Sequence, residues 1–247
     1  MSSPEDARSA LLSRLIDHAP LFPPASLGLE DALDEDRRAR ESPSSFMLGR
    51  FVCPASRLAE LPDVGRGVSA VLDAPLQNGR VEAVETAASG DLGGLGSLAR
   101  EVYVEIPLDD SVDARLDELV AHGLSAKVRC GGAAVPDVEA LAGFVRACGE
   151  RGLPFKATAG LHHAVRRAGE HGFLNLLAAV VFGEEAEALD ESDAGAFRLD
   201  TDGFHWRERH AAPSELAHAR RERFRSIGSC SFFEPVEELE ELGVLPL

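Results

Sequence analysis

Short apolar-rich runs alternate with segments of helical periodicity along most of this chain. Residues 5–17 carry Ala7, Ala10, Leu11, Leu12, Leu15 and Ile16 at the spacing of an amphipathic helix. HAPLFPP follows and reads as a first short strand or its exit, broken by Pro23 and Pro24. Further strands are predicted at 46–54, 67–75, 81–87, 101–108, 125–132, 153–160 and 224–232. Helical patterns occupy 28–41, 56–61, 91–99, 112–123, 135–152 (Pro136 near N1, Gly152 past the end) and 163–183, the last divided at Gly172. Residues 184–195 are acidic and helical or loop, FRLDTDGFHWR reads as a hairpin turning at Asp-Gly, and 213–224 and 234–243 are helical again.

This order gives eight strands, mostly followed by helical segments from the second onward. Regular βα alternation implies a parallel sheet, and eight units close into a barrel. The expected fold class is therefore α/β, a single (β/α)8 (TIM-type) barrel. One domain spans 1–247, with a hairpin-helix insertion at 184–224 before the last strand.

Composition narrows the partners. A chain of 247 residues with 45% hydrophobic residues can bury a large core, and a net charge of −17 disfavours nucleic acid and anionic membranes as partners. No apolar run has the length of a membrane span, and MSSPEDARSALL lacks the features of a secretory signal. Cys53, Cys130, Cys148 and Cys230 form no C-x-x-C pair, which favours reduced thiols and a cytoplasmic setting. The expected partner is a small molecule, and the sequence leaves room for a homo-oligomer. GGLGS at Gly93 lacks the strand–turn–helix context of a dinucleotide site, so no cofactor is assigned.

Of 25 basic residues only Lys127 and Lys156 are lysine. Each lies near the end of a predicted strand. Unlike arginine, lysine can lose its proton in a protein and act as a base or Schiff-base nucleophile. Strand alternation sorts the neighbours. With Val128, Phe155, Val102 and Val104 directed at the helices, Lys127, Arg129, Lys156, Thr158, Glu101, Tyr103 and Glu105 point inward. Arg50 and Val52 are assigned inward, Glu85 lies nearer the mouth than Glu82, and Asp73 marks a strand exit. On adjacent strands the two amines would lie on the order of 5 Å apart and repel by roughly 3 kcal/mol at an effective dielectric of about 20. That is about two pKa units, enough to leave one amine partly neutral near pH 7.

Lys127 and Lys156 are thus the candidate nucleophiles, with Glu105, Glu85 and Tyr103 to move protons. Arg50, Arg129, Thr158, His162, His163, Ser229 and Ser231 are candidate substrate contacts; the loop after the last barrel strand commonly holds an anion. No metal ligands are assigned. KATAGLH from Lys156 and RSIGSCS from Arg225 resemble the seventh- and eighth-strand motifs of the deoxyribose-phosphate-aldolase group of class I aldolases. The resemblance implies a Schiff-base lysine on the sixth strand, matched by Lys127, with Lys156 as its pKa-lowering neighbour. The sixth strand reads K-V-R-C-G-G, where that group has Lys followed by Ser, Thr and Gly. The whole chain also resembles bacterial barrel proteins of unassigned activity. The expected function is an aldolase- or lyase-like reaction on a small, anionic carbonyl compound.

Two other readings stand beside it. Cys53, Cys130, Cys230, His162 and His163 at strand ends would suit a metal- or thiol-dependent hydrolase. Alternatively, a buried ion-pair lattice would plug the barrel and leave a non-catalytic binding protein. The acidic runs Glu184–Asp193 and Glu237–Glu241 read as solvated helix faces, and Trp206 as a packing residue.

Overall fold

The computed structural model describes residues 6–76, 81–88, 92–132 and 135–246. After α1 (Ala7–Leu12) come β1 (Ile16–His18), α2 (Leu29–Glu41), β2 (Leu48–Pro54), β3 (Val68–Val71), β4 (Ala83–Ala87) and β5 (Glu101–Glu105). Then follow α3 (Val112–His122), β6 (Ser125–Arg129), α4 (Val138–Glu150), β7 (Phe155–Thr158), α5 (Phe173–Phe182) and α6 (Glu185–Asp190). β8 (Phe197–Leu199), β9 (Phe204–Trp206) and β10 (Arg209–Ala211) precede α7 (Pro213–Glu222), β11 (Phe224–Ser229) and α8 (Phe233–Glu241). Strands β1–β7 and β11 pair in parallel and close in the order β1-β11-β7-β6-β5-β4-β3-β2. This is the single (β/α)8 barrel that the alternation implies.

The outer wall of the barrel is apolar because alternate residues leave it on one side. Val102, Val104, Ala126, Val128, Phe155, Ala157 and Ile227 are buried beneath the helices. Phe155 makes an edge contact with Phe144 of α4 at 5.3 Å between ring centroids and a tilted one with Phe224 at 5.1 Å. Full burial of such a side chain contributes roughly 1.5–3 kcal/mol. A smaller cluster of Ala32, Phe51, Cys53, Val64 and Val68 seals β2 and β3 beneath α2.

Several boundaries differ from the sequence expectation. The first strand is Ile16–His18, within what reads as the tail of a helix; residues 19–24 turn instead of extending. Three residues are too few to display a period of two. Among the described residues no α-helix separates β2 from β5. The helical patterns near 56–61 and 91–99 form 3₁₀ turns at Ala55–Arg57 and Leu95–Ser97, cut short by Pro62 and by Gly94 at φ +84°. Pro136 precedes the N-cap Asp137, whose carboxylate accepts from the Ala140 amide at 2.7 Å. The helix expected from 163 begins only at Phe173. A Cβ at Gly172 would lie 2.6 Å from the Ala164 carbonyl oxygen, so the chain folds back on itself there.

The stretch before β11 holds more than a hairpin. β8, β9 and β10 make a three-stranded antiparallel sheet turning at Asp200–Gly203. α6 packs on α4 and α5, and α7 on α1. Trp206 is fully buried against Phe182, as a packing residue should be. No helix among the described residues is long and apolar enough to cross a membrane.

Candidate active site at the carboxyl mouth of the barrel

Inward-facing residues carry most of the charge on these strands, and they form tiers. At the amino end, Arg50 reaches Glu82 and Glu101, each at 2.9 Å, and Glu82 also meets Arg14. Tyr103 donates its phenol proton to Glu101. In the middle, the Lys156 ammonium lies 2.7 Å from Asp17 Oδ2 and 2.6 Å from Glu85 Oε1, with no exposed surface. Ser226 donates to Asp17 at 2.7 Å and Ser69 to Glu85 at 2.8 Å. Burial penalises each of these charges, yet the partners dominate. Asp17 and Glu85 are held well below the usual carboxylate range, and Lys156 is held above the usual amine value.

These shifts set a pH dependence. Asp17 and Glu85 have depressed native pKa values, so their stabilisation is complete above the unfolded values near 4 and declines as pH falls from there toward the native values. Lys156, with a raised native pKa, stabilises below about 10.4 and loses that contribution as pH rises through its native value. Urea unfolding across pH should therefore show a plateau between these limits and a falling midpoint below about pH 4.

Above the lattice the barrel opens. A cavity of about 790 Å³ lies at the carboxyl ends of the strands, lined among others by Glu85, Glu105, Lys127, Arg129, Thr158 and Ser229. Lys127 forms part of its floor, its Nζ 3.1 Å from Glu85 Oε2 and 3.2 Å from Glu105 Oε2. Arg129 is half exposed, and its nearest carboxylate, Glu105, is 4.0 Å away. The Thr158 hydroxyl is buried and makes no hydrogen bond among the described residues.

Alternation therefore places Lys127, Arg129, Thr158, Glu105 and Glu85 together at one mouth, and the register sets Lys127 beside Lys156 as expected. Other expectations need correction. Glu85 sits between the two amines and offsets their repulsion, and Lys156 lies beneath the cavity without lining it. The sequence shows lysines on neighbouring strands, but it cannot show which carboxylate the register brings between them. Arg50 and Tyr103 belong to the amino-end tier, too deep to touch a substrate at the mouth. Burial and Glu101 push the Tyr103 phenol well up, away from proton transfer near neutrality.

His162 lines the rim and hydrogen-bonds Glu234 at 2.9 Å. His163 lies outside the cavity lining, pairing with Glu238 at 2.8 Å and with Arg167. Glu238 is thus a partner of the β7–α5 loop and not merely part of a solvated face. Ser229 lines the cavity and donates to the Ser231 carbonyl at 2.7 Å; Ser231 itself faces α8, with its hydroxyl accepting from the Glu234 amide at 3.4 Å. Burial pushes the Cys53 and Cys130 thiols up to about 11 and about 12, and those of Cys148 and Cys230 also upward. Such thiols are poor nucleophiles near neutrality. Among the described residues no three His, Cys, Asp or Glu side chains converge to hold a metal.

Asp17 is the residue that sequence reading missed. It falls in the short β1, where no alternation could reveal an inward carboxylate. The mouth also depends on a close backbone approach: a Cβ at Gly160, itself at φ +66°, would lie 2.6 Å from the Gly131 Cα. Gly160→Ala should lose more than about 1 kcal/mol of stability by chemical denaturation and weaken ligand binding at the mouth, because both clash and φ oppose a side chain.

No family model matches this chain, and comparison with curated proteins gives no significant match. The fold and the cavity together define a (β/α)8-barrel protein with a charged site at its carboxyl mouth.

Proposed function

We propose that this protein is a lyase of the class I aldolase type, in which Lys127 forms a Schiff base with an anionic carbonyl substrate. The observation that carries the reading is the placing of the amines. Lys127 faces the cavity with the Glu105 carboxylate 3.2 Å away, whereas Lys156 is sealed beneath it. Glu105 is placed to take a proton from the ammonium. The free amine then attacks the carbonyl carbon, and the hydroxyl of the carbinolamine leaves as water with a returned proton. The protonated imine accepts the electron pair released when the bond between its α and β carbons breaks, while the β-hydroxyl passes its proton to Glu105 and departs as an aldehyde; that proton returns to the enamine carbon, and water hydrolyses the imine to free Lys127. Arg129 holds the anionic group. The resemblance of KATAGLH and RSIGSCS to the aldolase group agrees with the chemistry, although Lys156 is engaged by the Asp17 and Glu85 carboxylates. Four free, buried cysteines fit a cytoplasmic setting.

A second reading is favoured by the two carboxylates already beside Lys127: the cavity is a non-covalent binding site whose cations grip an anion. Borohydride trapping separates the two. Incubation with aldehydes and 2-oxo acids, followed by reduction, intact mass and peptide mapping, should yield one adduct at Lys127. An adduct confined to the N-terminal amine, or none across the panel, would leave the binding reading.

A further inference from the structure

The cavity wall is divided by strand order. Among the described residues its charged and hydroxyl-bearing side chains come from one arc of the barrel, from β4 through β7 to β11, and include Glu85, Glu105, Lys127, Arg129, Ser229 and, in the loop after β7, Glu170. The remaining arc, β1 to β3 and the loop after β1, supplies Ala19, Phe22, Pro23, Val52, Val71 and Leu72. Val135, in the loop after β6, adds an apolar contact at the rim and is 44% exposed.

Size and charge narrow what fits. A volume of about 790 Å³ lies in the range that encloses drug-sized ligands, far beyond the needs of a three-carbon compound. A polyhydroxylated sugar chain would lay its hydroxyls against an arc whose described side chains offer no hydrogen-bonding group. Among the described residues the lining carboxylates Glu85, Glu105 and Glu170 outnumber the cations Lys127 and Arg129, which suits a monoanion better than a phosphate dianion.

We infer that the ligand is amphiphilic: a monocarboxylate head at Arg129 and Lys127, with an aryl or aliphatic tail of several carbons against the β1–β3 arc. This deepens the reading of the cavity as a substrate site, but it does not require imine formation.

Carbonyl-free acids test it separately from the Schiff-base reading. Calorimetric titration of the full chain with straight-chain carboxylates from propanoate to octanoate, and with 3-phenylpropanoate, should show affinity rising about three- to fourfold per added methylene. Leu72→Asp should flatten that dependence, and Arg129→Gln should weaken all the acids by a similar factor. Affinity independent of chain length, no binding of any acid at millimolar concentration, or ribose 5-phosphate binding as tightly as octanoate would each overturn the inference. Chain-length dependence unchanged in Leu72→Asp would overturn it too, by placing the tail elsewhere. A trapping experiment without adduct would leave these titrations standing.

Discussion

Replacing Lys156 by methionine is expected to destabilise the barrel by about 3–5 kcal/mol, read as a lowered urea midpoint with an unchanged slope. The substitution keeps an unbranched apolar stem as far as the ε carbon and removes the ammonium, its charge and its two hydrogen bonds. Asp17 and Glu85 retain their hydroxyl and backbone donors, Ser226, Ser69 and the Arg50 amide, but lose the ammonium that lies within 2.7 Å of both. Two carboxylates held in a dry interior without that counter-charge must either stay ionised at high cost or take up protons. Since a domain is stable by only about 5–15 kcal/mol, the loss is a large share of the total. Adding Asp17→Asn should recover part of it, because Asp17 is then left 3.9 Å from Arg50, whereas Glu85 keeps Lys127 at 3.1 Å. A loss below about 1 kcal/mol would mean that the middle tier is hydrated and that Lys156 is not its keystone.

Lys127→Arg is expected to leave the fold intact and abolish both the borohydride adduct and turnover, the latter by about 10⁴-fold or more, as for loss of a covalent nucleophile. Arginine preserves the positive charge facing Glu85 and Glu105, so circular dichroism and the urea midpoint should move little. It cannot form the imine, because its guanidinium keeps its proton. Glu105→Gln is the companion variant: the amide keeps the shape but cannot accept the ammonium proton, and turnover should fall by about 10²–10⁴-fold while an adduct still forms slowly. Turnover retained in Lys127→Arg would remove this residue as nucleophile.

The periodic parts of the chain were the legible ones. In β5, β6 and β7 the alternation Val102–Tyr103–Val104, Ala126–Lys127–Val128 and Phe155–Lys156–Ala157 separates apolar wall from charged interior, and the structure keeps that separation. Elements lacking a full period were not legible. β1 is too short to display one, the helical patterns after β2 and β4 were cut short by Pro62 and Gly94, and β10 offers three residues with two of them polar. Arg50 shows the other limit, since alternation gives a side chain's face but not its depth. Inward is the same direction for Arg50 and Lys127, yet one meets Glu101 at the amino end and the other lines the mouth.

By itself, the sequence determined the barrel, the inward residues of β5, β6 and β7 and the neighbouring positions of the two lysines. Each follows from local periodicity and from the order of strands, which are properties of the chain alone. Only the tertiary structure decided which lysine meets the cavity, that Glu85 stands between the amines, that Asp17 anchors the lattice, and that the mouth is apolar on one arc and charged on the other. Those outcomes depend on strand register and closure, which bring residues as distant as Asp17 and Lys156 within 2.7 Å. No spacing along the chain encodes such a contact, because it is set by how eight strands share one ring.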